Sequence, residues 1–165
     1  ERVPVVMGTL SKAVGSLGGY VAGSHELVDF IRNRVRSYIF DTSLPAPSLA
    51  ASIAAIRIIE NEPERRERLW SLIRRFKTGI ESVGLKIMPS DSAIVPVLVG
   101  EAAPALRFAA VLRERGVYTP AVRPPSVPPG MCRIRVTLMA THTEGQIDAA
   151  LDAFKAARDI VSDVK

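Results

Sequence analysis

The chain has 165 residues, 47% of them hydrophobic, which is enough apolar material for one ordinary core, and no apolar run approaches the roughly 20 residues of a membrane span. Its formal charge of +5 comes from basic and acidic residues spread along the chain, and the densest basic stretch, Arg65 to Lys77, is broken by Glu67, so a solvated helix face is expected and not a nucleic-acid surface. The single cysteine, Cys132, excludes an intrachain disulfide and fits a cytoplasmic protein, and no zinc-ligand spacing is present, so no metal is expected.

In chain order, Val3 to Met7 reads as a buried strand and Gly19 to Ala22 as a short second one. Leu27, Phe30, Ile31 and Val35 recur at near-helical spacing between His25 and Arg36, and Tyr38 to Phe40 reads as extended. Pro45 and Pro47 stand at a helix start, after which Leu49, Ile53, Ile56 and Ile59 mark one face of a helix ending near Asn61. A longer helix follows Pro63, with Leu69, Leu72, Ile73, Phe76, Ile80 and Val83 as its stripe, Trp70 packed beside it and Gly84 as its stop.

Ala93 to Val99 is an apolar strand in which Pro96 removes a ladder donor, which points to an edge position or a bulge. Pro104 to Arg115 is helical and closed by Gly116, and Val117 to Val122 is extended. Arg133 to Leu138 alternates polar and apolar at period two, as a half-buried strand does. The last helix opens with Thr143 and Gln146 at capping-box spacing, and Ile147, Ala150, Leu151, Phe154 and Val161 line its inner face. Short strands among longer helices make the chain α/β or α+β.

Three stretches carry chemistry. In Gly8-Thr9-Leu10-Ser11-Lys12-Ala13-Val14-Gly15 a lysine sits in a turn rich in hydroxyls and glycines. Held by packed neighbours, such an amine loses its proton more readily and can attack a carbonyl, while the hydroxyls and glycine backbone suit an anion. Taken alone, the run reads more readily as a turn with a solvated lysine, and it is not a Walker A loop because no glycine precedes Lys12. Alternation puts Arg133, Arg135 and Thr137 on one strand face, where a guanidinium can grip a carboxylate or simply meet solvent. Arg123 stands before Pro124 and Pro125 in a loop stiffened by proline. His25 and His142 lie at helix starts as local polar contacts, and Cys132 reads as a small buried side chain.

The run from Gly8 to Tyr20 resembles the pyridoxal-phosphate lysine segment of the α-oxoamine synthases. Two more segments follow in that family's order, Tyr38-Ile39-Phe40-Asp41-Thr42-Ser43-Leu44-Pro45 and then Val122-Arg123-Pro124-Pro125-Ser126-Val127-Pro128 running into Arg133 to Thr137, so the resemblance spans essentially the whole chain. It implies the end of the large domain (1–44) and the C-terminal α+β domain (45–165) of a fold-type-I transferase dependent on pyridoxal 5'-phosphate. Lys12 would hold the cofactor and move the Cα proton, Thr9 would contact its phosphate, and Arg135 would grip the amino-acid carboxylate. Thr42 and Ser43 would reach the partner subunit's cofactor phosphate in a homodimer with shared sites, although Asp41 replaces the usual hydroxyl residue. Arg123 ahead of two prolines resembles the branch that condenses L-alanine with a pimeloyl-CoA or carrier-protein thioester, and would contact the acyl substrate or the product carboxylate.

Sister branches that use glycine with a shorter acyl-CoA, and a noncatalytic interaction module, are the alternatives. The abrupt start at Glu1-Arg2 looks like a cut through a larger protein. The family's upstream aspartate and ring-stacking histidine have no counterpart in this chain, so the 165-residue piece alone is expected to be inactive.

Overall fold

The computed structural model describes residues 3–162, with side chains through Asp159; Glu1, Arg2 and the side chain of Val161 lie outside the described residues. Its contacts divide the chain into two units, Glu1–Pro63 and Glu64–Lys165. The helix that follows Pro45 goes with the first of them; the expected boundary after residue 44 refers to the domains of a longer protein.

In the first unit, β1 (Val6–Thr9) and β2 (Gly19–Ala22) form an antiparallel hairpin in register from Val6 opposite Ala22 to Thr9 opposite Gly19. The strand expected over Val3 to Met7 therefore begins three residues later, and its side chains are exposed, because a two-stranded hairpin offers no second layer to bury them. Helix α1 (His25–Arg34) is capped by the Ser24 hydroxyl, which accepts the Leu27 N–H at 3.3 Å. Val35 turns to extended backbone and ends it, two residues short of expectation.

A second correction follows immediately. Tyr38 to Phe40, expected to be extended, belongs to a short helical turn, α2 (Arg36–Ile39), closed by the Phe40 N–H on the Arg36 carbonyl. The Arg36 guanidinium lies 5.3 Å above the Phe40 ring, a local contact that favours the turn over the aromatic preference for strands. Helix α3 (Ala46–Asn61) starts at Pro45 and Pro47 as expected. Its isoleucine face is exposed, and Ser52 is its one buried residue.

The second unit has a packed core. Its elements are α4 (Glu64–Ser82), β3 (Lys86–Ile87), β4 (Ile94–Gly100), α5 (Ala102–Glu114), β5 (Ala121–Val122), β6 (Cys132–Thr137) and α6 (Glu144–Ser162). The strands form one antiparallel sheet in the order β3-β4-β6-β5. Val95, Val97, Ile134 and Val136 point from it into a core completed by Phe76 and Ile80 of α4, Phe108 and Leu112 of α5, and Phe154 of α6. Phe154 stands edge-on to Phe76 and tilted against Phe108, both at 5.6 Å between centroids.

The ends of α4 and α5 are built alike. Gly84 and Gly116 take positive φ, and paired bonds close each helix: Leu85 N–H on the Ile80 carbonyl with Gly84 N–H on Glu81, and Val117 N–H on Leu112 with Gly116 N–H on Arg113. The capping box at α6 forms in both directions, Gln146 N–H to the Thr143 hydroxyl at 3.2 Å and Thr143 N–H to Gln146 Oε1 at 2.9 Å.

β4 is an interior strand, not the edge that Pro96 suggested. Its bonds to β6 run through Val95 and Val97, so the donor missing at Pro96 faces β3, which has already ended at Ile87. The ladder does bulge, but between Leu98 and Gly100. The extended stretch expected over Val117 to Val122 shrinks to β5, and Trp70, beside the α4 stripe, is 39% exposed.

Candidate functional site

The lysine turn is held by its own backbone. Leu10 N–H donates to the Gly18 carbonyl and Ser16 N–H to the Leu10 carbonyl, both at 2.8 Å, while Gly15 N–H closes on the Lys12 carbonyl at 2.9 Å. Gly15 and Gly18 supply the positive φ values this path needs. The Ser16 hydroxyl ties the loop to the Ser48 carbonyl of α3 at 2.8 Å. Lys12 sits on this frame with its Nζ exposed, donating to Ser11 Oγ at 3.1 Å. Among the described residues of Glu1–Pro63 no large apolar side chain is buried, so the packed neighbours expected around Lys12 are not found there.

Thr9 is the last residue of β1, exposed opposite Gly19. It lines an open cleft of about 490 Å³ with Tyr20, Val28, Ile31, Arg32 and Tyr38. The sequence alone does not single out Arg32; the only trace of it is its place beside Ile31 on the helical stripe. A cation and a hydroxyl on one cleft suit an anion. Thr42 and Ser43 lie in a second cleft, of about 460 Å³, with Gly18, Gly19 and Ser37. Asp41, whose carboxylate would repel a phosphate, is turned back on its own chain: Oδ1 accepts the Thr42 N–H at 2.9 Å. That bond also removes one backbone donor from the cleft.

In the second unit, strand pairing brings the two candidate arginines together. Ala121 opposes Ile134, Val122 opposes Arg133, and Arg135 N–H donates to the Pro120 carbonyl at 3.0 Å. The loop after β5 turns through the cis Pro124–Pro125 bond, and Ser126 N–H returns to the Arg123 carbonyl at 3.1 Å. Arg123, Ser126 and Arg135 thus share a cleft of about 470 Å³. Arg133, on the same strand face, is half-buried and its Nε donates to the Met131 carbonyl at 3.0 Å. Among the described residues neither Arg123 nor Arg135 has an acidic partner, so they are the open cations of this cleft.

Both histidines are occupied locally. His25 Nδ1 lies 3.4 Å from Asp29, and His142 Nδ1 accepts the Met139 N–H at 3.3 Å. Cys132 is buried, as its composition as a small apolar side chain suggested. Among the described residues no helix is long and apolar enough to cross a membrane.

Residues 1–154 match the family model Aminotransferase class I and II. The 8-amino-7-oxononanoate synthase of Thioalkalivibrio sulfidiphilus is 44% identical over 153 residues, covering 93% of this chain and 39% of that protein. A serine palmitoyltransferase from S. paucimobilis, solved with a bound PLP–myriocin aldimine, superposes with TM-score 0.91 at 35% identity over 98% of this chain and 41% of its own. The 8-amino-7-oxononanoate synthase of Francisella tularensis gives 0.83 at 25% identity, over 94% of this chain and 46% of its own. The mixed α/β fold is therefore that of a fold-type-I transferase, and the chain spans about two fifths of the length of the relatives it matches.

Proposed function

This chain belongs to the aminotransferase class I and II family, and from that premise we propose that it is the lysine-bearing and carboxylate-binding part of a longer pyridoxal-phosphate-dependent acyltransferase. The reaction proposed for the whole protein joins L-alanine to a pimeloyl thioester, giving 8-amino-7-oxononanoate, CO2 and the free thiol. The observation that carries it is the pairing of Arg123 and Arg135 in one cleft. Two guanidiniums lining one cleft, with no acidic partner among the described residues, suit an anion such as a carboxylate.

The residues of the first unit fit the cofactor chemically. Lys12 presents an exposed amine and Thr9 an exposed hydroxyl, both next to the glycine-rich turn. Pyridoxal phosphate, when bound, supplies the electron sink for negative charge at the amino acid's Cα. The chain supplies the rest. Lys12 Nζ holds the cofactor and then takes and returns the Cα proton, and Thr9 Oγ1 donates to phosphate. Arg135 orients the amino-acid carboxylate in a bidentate pair, and Arg123 meets the acyl substrate or the product carboxylate. In a homodimer, Thr42 and Ser43 donate to the phosphate held by the other subunit.

Turnover by the complete polypeptide, with alanine, glycine or serine against pimeloyl-, acetyl- or palmitoyl-CoA, tests the reading. Alanine with pimeloyl-CoA is the expected pair, and Lys12→Ala is expected to lower kcat by at least about a hundredfold. A preference for glycine transfers the chain to a sister branch. A preference for serine with palmitoyl-CoA, the reading favoured by the likeness to serine palmitoyltransferase, rejects it equally. The 165-residue chain alone is expected to show no turnover.

A further inference from the structure

Most large apolar side chains of Glu64–Lys165 lie inside; Leu106, Trp70 and Ile94 are exposed singly, while the most exposed of all lie together. Its two most exposed, Tyr118 at 80% and Met139 at 54%, line the same cleft, about 400 Å³ in volume, which shares no lining residue with the arginine cleft. Core residues Phe76, Val136 and Ile147 form its floor. Thr119 forms part of its wall; this side chain is 9% exposed, and its hydroxyl has no hydrogen-bond partner. A packed unit that leaves apolar side chains open and a hydroxyl unsatisfied at one spot is unfinished there.

The backbone is open at the same spot. Arg135 N–H reaches the Pro120 carbonyl, so odd-numbered residues of β6 turn their backbone groups toward β5. Two residues on, Thr137 turns its N–H and C=O the same way, past the point where the pairing with β5 ends.

The polar groups at the rim are donors. His142 accepts the Met139 N–H at Nδ1, which requires the neutral ring to carry its proton on Nε2. Gln146 accepts the Thr143 N–H at Oε1, so its amide nitrogen remains free to donate. Arg115 has no acidic partner among the described residues, and no carboxylate lines the cleft. We propose that this cleft binds a small molecule with an apolar body and one carboxylate, a medium-chain aliphatic acid being the type. The tail lies on the core floor, and the carboxylate takes donors from His142, Gln146 and Arg115. This site is independent of the proposed reaction.

The test is an amide-resolved NMR titration of the 165-residue chain with sodium octanoate. Octanol and acetate serve as controls that keep only the tail or only the charge. Expected are saturable shifts at Tyr118, Thr119, Thr137 and Gln146 with octanoate, and weaker binding of both controls. Arg115→Gln is expected to raise the dissociation constant about threefold to fivefold. Ala149→Trp, which fills the cleft from an exposed position on α6, is expected to raise it tenfold or more. Both substitutions are at exposed sites, and unchanged amide shifts elsewhere verify the fold. Octanol binding as tightly as octanoate, shifts that grow linearly without saturating, or shifts confined to the exposed apolar faces of Glu1–Pro63 would each overturn the proposal.

Discussion

In Glu64–Lys165, three helices close over a four-stranded sheet, and Phe154 is locked between Phe76 and Phe108. In Glu1–Pro63, a hairpin and three helices carry Val6, Met7, Phe30, Phe40, Ile53 and Ile56, all exposed, and only Ser52 among the described residues is buried. The apolar residues are comparable in kind; what differs is the number of layers. A two-stranded hairpin with its helices builds no second layer of its own, whereas a sheet with helices across it makes a core. The lesson bears on the chemistry, because Lys12 and Thr9 lie in the uncovered unit. Secondary structure fixes where their side chains start, but this stretch builds no packed layer around them.

The strongest way to break that contrast is to empty the packed core. Phe154→Ala removes a side chain that is 0% exposed and is expected to cost about 3–5 kcal/mol. Trp70, the only tryptophan, lies on α4 and reports unfolding of the second unit by fluorescence during urea denaturation. The hairpin and helices of Glu1–Pro63 are expected to keep their amide spectrum. Joint loss of both units would mean that they are not separately held.

Two glycines sharpen the comparison at a smaller scale. A Cβ at Gly79 would lie 2.3 Å from Leu151 Cδ1, and one at Gly8 would lie 2.5 Å from the Tyr20 ring. Alanine gains about 1 kcal/mol of helix preference at position 79, against roughly 1–3 kcal/mol for overpacking where Leu151 is held against the core. Packing wins, and Gly79→Ala is expected to destabilise by about 1 kcal/mol. At Gly8 the same clash is with the end of an exposed tyrosine that can swing aside, so Gly8→Ala is expected to leave the hairpin's amide spectrum unchanged.

Much of the second unit was legible in the sequence because its signals are local or periodic. The stripe of α4, the stops at Gly84 and Gly116, the capping box of Thr143 and Gln146, and the alternation in β6 each depend on neighbours a few residues away. The misreadings have a common origin in context. Pro96 reads as an edge residue until it is seen that its missing donor faces the end of a two-residue strand. Val3 to Met7 reads as buried because apolar runs usually are, yet burial needs a second surface. For the site, β6 alternation made Arg133 and Arg135 equals. The structure separates them: Arg135 is exposed in the cleft with Arg123, while Arg133 is half-buried and bonds to the Met131 carbonyl, two residues back.

Surface electrostatics gives a weaker and pH-dependent handle on the packed unit. Arg75 binds Asp148 with two bonds, at 2.9 and 2.7 Å, and so clamps α4 to α6. Its hydrogen bonds hold the Asp148 carboxyl below the ordinary value of 3.8. A carboxyl lowered on folding contributes stability that is present above its unfolded value and lost as pH falls through the folded one. Asp148→Asn is therefore expected to lower the denaturation midpoint slightly at neutral pH, with parent and variant converging as pH drops below 3.8. A gap that persists in acid would show that the pair acts through packing and not through charge.

The smallest expected effect is the most discriminating. α3 carries apolar residues around most of its circumference, a pattern suited to a helix covered on all sides, yet Ile53 is 53% exposed here. In the 165-residue chain, Ile53→Ala removes no buried contact, so stability is expected to change by less than about 0.5 kcal/mol. Helicity is expected to rise slightly, because alanine is the better helix former. If α3 is covered in the complete polypeptide, the same substitution there costs about 2–5 kcal/mol. Equal costs in the two settings would mean that α3 meets nothing new in the longer protein, and the contrast between the units would then be intrinsic to Glu1–Pro63 instead of a consequence of what lies against it.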